Sequence, residues 1–338
     1  MILLAIETSC DETGVSILKE GSTILTNLLS TQVSTHAPFG GIVPELASRR
    51  HMEMIQPMVS QAVVEAEISM SDISAVAVTF APGLVGALVV GVSFGKALSY
   101  ALNVPLIGVH HLEGHIHSIF LEYPQLKYPF ISLVVSGGHT NLYHVREEGV
   151  YVPLGHSIDD AAGEALDKAG KLLNLGYPGG PVIDRMASGQ DPDKIHFPRA
   201  LLSKESFDFS FSGLKTSLRA FLEKRKNEGI QELLPEIAAG YQEAIVDVLI
   251  NKTIRAAQQL KVESVVIVGG VAANSRLRAR MFEEGTKKGI EVRFPSSKFC
   301  TDNAAMIARA ALGHFEKRKF ASLDLNPVGS LELERAYL

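Results

Sequence analysis

The chain reads as an α/β protein of two related domains with mixed sheets, and three observations predict it. Apolar runs interrupted by a small polar turn occur twice, over Leu3–Leu18 and Ile131–Val145, which is the hairpin signal. Strand and helix patterns alternate after each hairpin, as a mixed sheet covered by helices requires. The length of 338 residues is more than twice a common domain of about 150. The boundary is expected near Tyr128, giving domains 1–128 and 129–338, with the last segment free to pack back on the first.

Taken in order, the first hairpin turn carries Thr8-Ser9-Cys10-Asp11. Ile73–Phe80 is a buried-type strand and Pro82–Leu102 a glycine-rich helix with close-packing faces. Leu106–Val109 is a strand that runs straight into a histidine-bearing helix. In the second half, Asp160–Leu173 has a helical pattern that ends at Tyr177-Pro178-Gly179-Gly180-Pro181. A further helix starts with Pro181 in its first turn, where proline is tolerated. Phe207–Ser212 alternates aromatic and polar residues and is expected to be extended, with Ser212 capping a helix over Leu214–Leu222. Pro235–Leu260 is a long helix and Val265–Val268 a buried strand. That strand ends in Gly269-Gly270, ahead of Asn274 and a basic helix.

Composition narrows the function. With 46% hydrophobic and 20% charged residues the chain can bury large cores and is not a disordered segment. A net charge of −5 gives no global reason to bind nucleic acid. Local basic clusters exist at Arg49-Arg50, at Lys224-Arg225-Lys226 and along Arg276, Arg278 and Arg280. Each is either a phosphate contact or a solvated face. Two cysteines argue for a reducing compartment, and the N-terminal stretch lacks the basic start of a signal peptide. The apolar run Leu84–Phe94 is too short to span a bilayer. A soluble, cytoplasmic protein with no membrane association is expected. Cys10 and Cys300 sit beside Asp11 and Asp302, so oxidation there is a conceivable block on function.

The most informative segment is His111-Leu112-Glu113-Gly114-His115. Residues four apart on a helix are neighbours, so two imidazoles can share one face and form half of a metal site, or simply a solvated face. Glu113 lies about 200° around the helix from His111 at about 100° per residue. It therefore cannot serve as the base of a His-Glu-x-x-His protease. Asp302, opening an apolar helix, is the candidate third ligand, or an ordinary cap.

Three glycine pairs, Gly137-Gly138, Gly179-Gly180 and Gly269-Gly270, bring bare backbone N–H groups to the ends of elements, where phosphates are held. Asp160, Glu164 and Asp167 are spaced to share one helix face, and Asp184 follows. They are candidates for hydrogen bonds to hydroxyls or for a solvated surface. Asp11 is an acid/base candidate or a turn former. Gly91–Lys96 is one residue short of a phosphate-binding P-loop and lies in a helical run, so it is set aside.

Together these segments resemble the TsaD family of tRNA threonylcarbamoyltransferases, once described as glycoprotein endopeptidases, within the actin/Hsp70/sugar-kinase superfamily. The resemblance rests on Ile6–Thr13, Gly40–Arg49, His110–His115, Val135–Thr140 and Asp159–Lys168. It continues through Tyr177–Pro181, Phe209–Thr216, Gly269–Asn274 and Cys300–Ala304. It implies two actin-like (RNase H-like) domains with an interdomain cleft. It also implies transfer of threonylcarbamoyl from threonylcarbamoyl-AMP to N6 of a tRNA adenosine.

By position, the resemblance implies that His111, His115 and Asp302 bind a metal, Fe2+ with Zn2+ as the alternative. It assigns Val135, Ser136, Gly137, Gly138, His139, Asp167, Gly180, Asp184 and Asn274 to substrate, and a role in activity to Asp11. Partners implied are tRNA, the donor (with ATP- or ADP-like nucleotides able to occupy its site), a TsaB-like paralogous subunit and a TsaE-like ATPase. A sugar kinase or ATPase, a metallopeptidase and a non-enzymatic scaffold remain rival readings of the same motifs.

Overall fold

The computed structural model describes residues 1–200, 206–225 and 229–337, so Lys226 of the second basic cluster lies outside the described residues. The chain divides into two compact units, one of Met1–Leu126 with Thr301–Leu338, the other of Lys127–Cys300.

The first unit contains β1 (Ile2–Glu7), β2 (Glu12–Lys19), β3 (Thr23–Thr31), α1 (Val33–His36), α2 (Pro44–Glu65), β4 (Ala75–Ala81), α3 (Val85–Leu102), β5 (Leu106–His110) and α4 (His111–Ser118). Its sheet runs β3-β2-β1-β4-β5, antiparallel through β3, β2 and β1 and parallel from β1 to β5. The strands are apolar on both faces because both are covered. Leu4 and Ile6 pack on the side that holds Ile55, Val59 and Val92 of α2 and α3, whereas Leu3 and Ala5 pack on the opposite side.

Glycine lets α3 lie close on the sheet. A Cβ at Gly91 would sit 2.2 Å from Thr8 Oγ1, and one at Gly95 equally close to Val78. By length and composition alone α3 is apolar enough to cross a membrane, since it continues past Lys96 to Leu102. Its buried face, Ala87, Leu88, Gly91, Val92, Gly95 and Ser99, is that of a helix packed on a sheet.

The second unit contains β6 (Phe130–Val135), β7 (Thr140–Glu147), β8 (Val150–His156), α5 (Ala162–Leu172), α6 (Gly179–Ala187), α7 (Ser212–Lys224), α8 (Ile230–Leu260), β9 (Ser264–Val268), α9 (Ser275–Lys288) and β10 (Glu291–Arg293). Its sheet order, β10-β9-β6-β7-β8, repeats the first unit's plan: an antiparallel meander of three strands extended by two parallel ones. Two copies of one strand order are the fold-level echo that the two hairpins suggested.

From Thr301 on the chain belongs to the first unit, the return of the last segment that the sequence left open, because α10 (Ala304–Glu316) supplies the apolar cover for Leu3, Ala5 and Ile107. The structure departs from expectation in two places. Ser212 does not cap α7. The helix begins on it, and Asp159 accepts from the Phe211 and Ser212 N–H groups (2.8 and 3.2 Å) and from the Ser210 and Ser212 hydroxyls. Asp160 precedes α5, and Lys168 bridges it to Glu164, at 2.5 and 3.0 Å.

Candidate metal centre and phosphate-binding turns

Helix α4 starts where β5 ends, capped by His110, whose Nδ1 accepts from the Leu112 N–H at 3.2 Å. Its ligand face presents His111 and His115, rings 4.7 Å apart and nearly perpendicular. Asp302 reaches them from just before α10. Its Oδ1 is 3.1 Å from His115 Nε2 and 3.5 Å from His111 Nε2, and one ligand atom from each of the three lies within 4.8 Å of the others. Asp302 is not the cap of α10, because Asn303 takes that role by accepting from the Met306 N–H. Gly114 makes the close approach possible, since a Cβ there would stand 2.7 Å from Ile307 of α10.

The donor set fits a divalent cation. His115 is fully buried, its Nε2 faces only the Asp302 carboxylate and its Nδ1 has no hydrogen-bond partner among the described residues, an arrangement that is costly unless something else binds the ring. Nitrogen and oxygen ligands about 2.1 Å from one ion, about 90–110° apart, are separated by about 3.0–3.4 Å, close to the spacings seen here. The other nitrogen of His111 is already held, with Nδ1 3.2 Å from Glu7 Oε2 and 3.1 Å from Ser9 Oγ. Such an outer carboxylate fixes the ring and leaves Nε2 facing Asp302.

The electrostatics agree with a site short of positive charge. Burial works against a charged His111, but the Asp302 and Glu7 carboxylates outweigh it and raise the imidazole to about 9. Burial lowers His115, which stays neutral and ligand-ready. Asp11, in the β1–β2 turn, is raised by burial and by Asp302. Its neighbour Glu12 is pushed up to about 8 by burial, Asp11 and Asp302, with Oε2 buried and unpaired. Glu113 points away from the ligands toward His314 and Tyr337, which removes the metallopeptidase arrangement. Cys10, pushed well up by burial and Asp11, is a poor thiolate, and Cys300 is fully buried, so facile oxidation is not supported.

Sequence reasoning missed Glu7, Ser9 and His51. Glu7 is a buried carboxylate ending an apolar strand, and that was its signal. It accepts from Thr79 Oγ1 at 2.6 Å and from the Ser9 N–H. His51 lies 3.0 Å (Nε2) from the Cys10 carbonyl and 2.8 Å (Nδ1) from Thr13 Oγ1. Burial lowers His51 and keeps it neutral, and Nε2 donates to that carbonyl, which pins the turn that carries Asp11.

The remaining candidates all fall in the second unit. Val135 ends β6, and Ser136-Gly137-Gly138-His139 make the β6–β7 turn, closed by Ser136 N–H to the His139 carbonyl at 2.8 Å. Gly137 and Gly138 are exposed with open space around them, so a ligand can approach their backbone. The turn rests on the start of α5, where the Gly163 N–H donates to the Ser136 carbonyl at 3.2 Å.

Asp167 accepts from the Gly179 and Gly180 N–H groups at 2.8 and 3.3 Å. Asp184 accepts from the Ser275 N–H and hydroxyl at 3.0 and 2.8 Å. Asn274 caps α9 through Leu277 N–H and donates to Gln242 at 2.7 Å. Asp184, Gln242, Glu243, Ser275 and Arg276 line a cavity of about 290 Å³.

Comparison with known proteins agrees. The family model for TsaD, tRNA N6-adenosine threonylcarbamoyltransferase, matches residues 23–309. A protein of that description from Syntrophus aciditrophicus (strain SB) is 50% identical over 336 residues, 99% of each chain. Another, from Clostridioides difficile (strain 630), is 48% identical over 335 residues, again 99% of each. Among solved structures, component A of the Acidaminococcus fermentans (R)-2-hydroxyglutaryl-CoA dehydratase is similar with a TM-score of 0.56 and 16% identity, over 94% of this chain and 99% of that one. HypF of T. kodakarensis gives 0.62 and 13%, over 96% and 49%. Those two likenesses speak to fold alone, that of two-domain actin-like proteins. The family match and the near-full-length identities decide the rest: the chain belongs to the TsaD family.

Proposed function

We propose that His111, His115 and Asp302 hold one divalent ion, Fe2+ with Zn2+ the alternative, and that the second unit's glycine turns bind the donor nucleotide. The chain transfers the threonylcarbamoyl group from threonylcarbamoyl-AMP to N6 of adenosine 37 in tRNAs that read codons beginning with adenine. The observation that carries the metal reading is the convergence of two buried imidazoles on one carboxylate oxygen, with Asp302 Oδ1 3.1 Å from His115 Nε2 and 3.5 Å from His111 Nε2. Two imidazoles and a carboxylate suit iron or zinc. When bound, the ion supplies Lewis-acid polarisation of the donor carbonyl.

The exocyclic amine of adenine is a weak nucleophile, so the protein's own groups must orient it and take its proton. N6 attacks the carbamoyl carbon, the bond to the phosphate oxygen breaks and AMP leaves. Asp11, whose raised carboxyl is a better base than an ordinary aspartate, accepts the proton. Backbone N–H groups of Gly137 and Gly138 hold the phosphate, in a turn that Val135 leads into and that Ser136 and His139 close. Gly180, with no side chain, gives the ligand a close approach at the start of α6, its own N–H being held by Asp167. Asp167, Asp184 and Asn274 serve the ribose and adenine end, which ATP- or ADP-like nucleotides can also occupy.

With a net charge of −5 the chain is ill-suited to gather tRNA alone, so a helper surface follows. A TsaB-like subunit and a TsaE-like ATPase are the partners, and the exposed apolar residues Val85, Val89 and Tyr100 of α3 offer a docking stripe. The protein works in the cytoplasm without a membrane. Mass analysis of tRNA nucleosides after mixing chain, donor, tRNA and partners tests the reading. Threonylcarbamoyladenosine should form, and Asp11→Asn should cut turnover far more than donor binding. Equal losses in both would remove Asp11 as the base.

A further inference from the structure

Glu113 belongs to the histidine motif yet touches neither ligand. It is buried on the far side of α4, where its Oε2 is 3.0 Å from His314 Nε2 and accepts the Tyr337 hydroxyl. That hydroxyl in turn accepts from the His110 N–H, one residue before the first ligand, at 2.9 Å. His110 Nε2 lies 3.0 Å from the Leu331 carbonyl, and the His314 and Tyr337 rings are 4.5 Å apart.

The chain after α10 reaches this point along the open edge of the first sheet. Ala321 N–H donates to the Leu106 carbonyl of β5, and Val328 N–H to Phe80, each at 2.8 Å. Gly83 N–H donates to Gly329 at 3.1 Å, and Leu333 is buried.

The geometry has a mechanical meaning. Two ligands come from α4 and the third from the residue pair before α10, so the relation of these two helices sets the ligand triangle. His314 sits near the far end of α10 and Glu113 in the middle of α4, so their contact ties the helices together below the ligands. Tyr337 ties the same carboxylate to the backbone at the head of α4.

We propose that Tyr337, together with His314, is a positioning residue for the metal site. Through Glu113 it keeps α4 seated against α10 so that Asp302 meets both imidazoles. The C-terminal segment is thus a working part of the centre. This rests on the metal reading above.

The test uses full-length protein, zinc affinity by chelator competition, and the visible spectrum of cobalt(II)-loaded protein, which reports ligand geometry. A group contacting a ligand directly changes metal affinity about 10–100-fold. Glu113 touches neither ligand and acts through the seating of α4, so Glu113→Gln should weaken zinc by no more than the low end of that range, about tenfold, and Tyr337→Phe by about threefold, each with a shifted cobalt spectrum. Val59→Ala, which loosens the core on the other face of the sheet, should lower the melting temperature and leave both readings unchanged.

Zinc affinities within twofold of wild type for Glu113→Gln and Tyr337→Phe, while His115→Ala no longer binds, would overturn the clamp and leave the metal reading standing. An equal loss in Val59→Ala would also overturn it, as a general stability effect. If His115→Ala binds zinc like wild type, the metal reading falls and takes the clamp with it.

Discussion

In the first unit the candidate chemistry sits at side-chain ends. His115 is fully buried with Nε2 facing Asp302, and His111 is held at one nitrogen so that the other faces Asp302. In the second unit the named side chains are engaged with their own backbone. Asp167 braces Gly179 and Gly180, Asp184 braces Ser275, and Asn274 caps α9. What the second unit offers a ligand is the bare turn of Gly137-Gly138. On the function proposed above, one unit grips an ion with side chains and the other an anion with peptide N–H groups, on the same strand plan.

The sharpest way to break that contrast is His115→Ala. Losing a ligand should weaken zinc by more than the about 100-fold upper figure for an outer-shell partner, while nucleotide affinity stays within about twofold. Isothermal titration with zinc and with an ATP analogue measures both. A parallel loss of nucleotide affinity would mean that the two functions are not separable.

Next in size is Asp167. Asp167→Ala leaves two amides without their acceptor and should cost about 1.5–3 kcal/mol in urea unfolding. Asp167→Asn keeps an oxygen acceptor and should cost less than half of that. Were the carboxylate needed as a charge on the ligand, Asn would lower nucleotide affinity as severely as Ala.

Proton competition comes third. His111 is raised to about 9 by Asp302 and Glu7 against the pull of burial, so below that pH an incoming ion must displace a proton. Zinc affinity should climb with pH, approaching tenfold per unit, and level off near pH 9. A flat profile from pH 6 to 9 would show that His111 is neutral throughout.

The smallest effect is a control in the second unit. Lys252 is fully buried with its ammonium on the Ser206 carbonyl at 3.0 Å, and burial, with Arg255 nearby, lowers it from 10.5 to about 8. Between about pH 8 and 10.5 the unfolded chain holds the extra proton, so stability contributed by this group rises with pH across that window. Lys252→Met should remove this rise and leave the zinc profile untouched, as read from urea midpoints.

Much of this was readable from residue order because the informative signals are local. Paired hairpins foretold paired sheets, and the i, i+4 histidines fell on one helix face. Asp302, the candidate third ligand, came from resemblance and from its place before an apolar helix, since nothing local links it to residues almost two hundred positions earlier. The outer groups were less legible. Glu7 and His51 act through contacts that only the folded β1–β2 turn creates, and Tyr337 lies in a stretch with no periodic pattern at all. Asp167, Asp184 and Asn274 each brace a turn in the fold, and a polar residue beside glycine can do that and also face a ligand, so residue order alone does not separate the two roles.

The placement of α10 has a consequence for synthesis. Domains tend to fold as they emerge, N-terminal first. Here the helix that finishes the first sheet, and the carboxylate that completes the ion's ligand set, leave the ribosome only after the whole intervening unit has been made. On the metal reading proposed above, a nascent chain carrying both histidines lacks its third ligand until the second unit has been made, which places metal loading after that unit's synthesis.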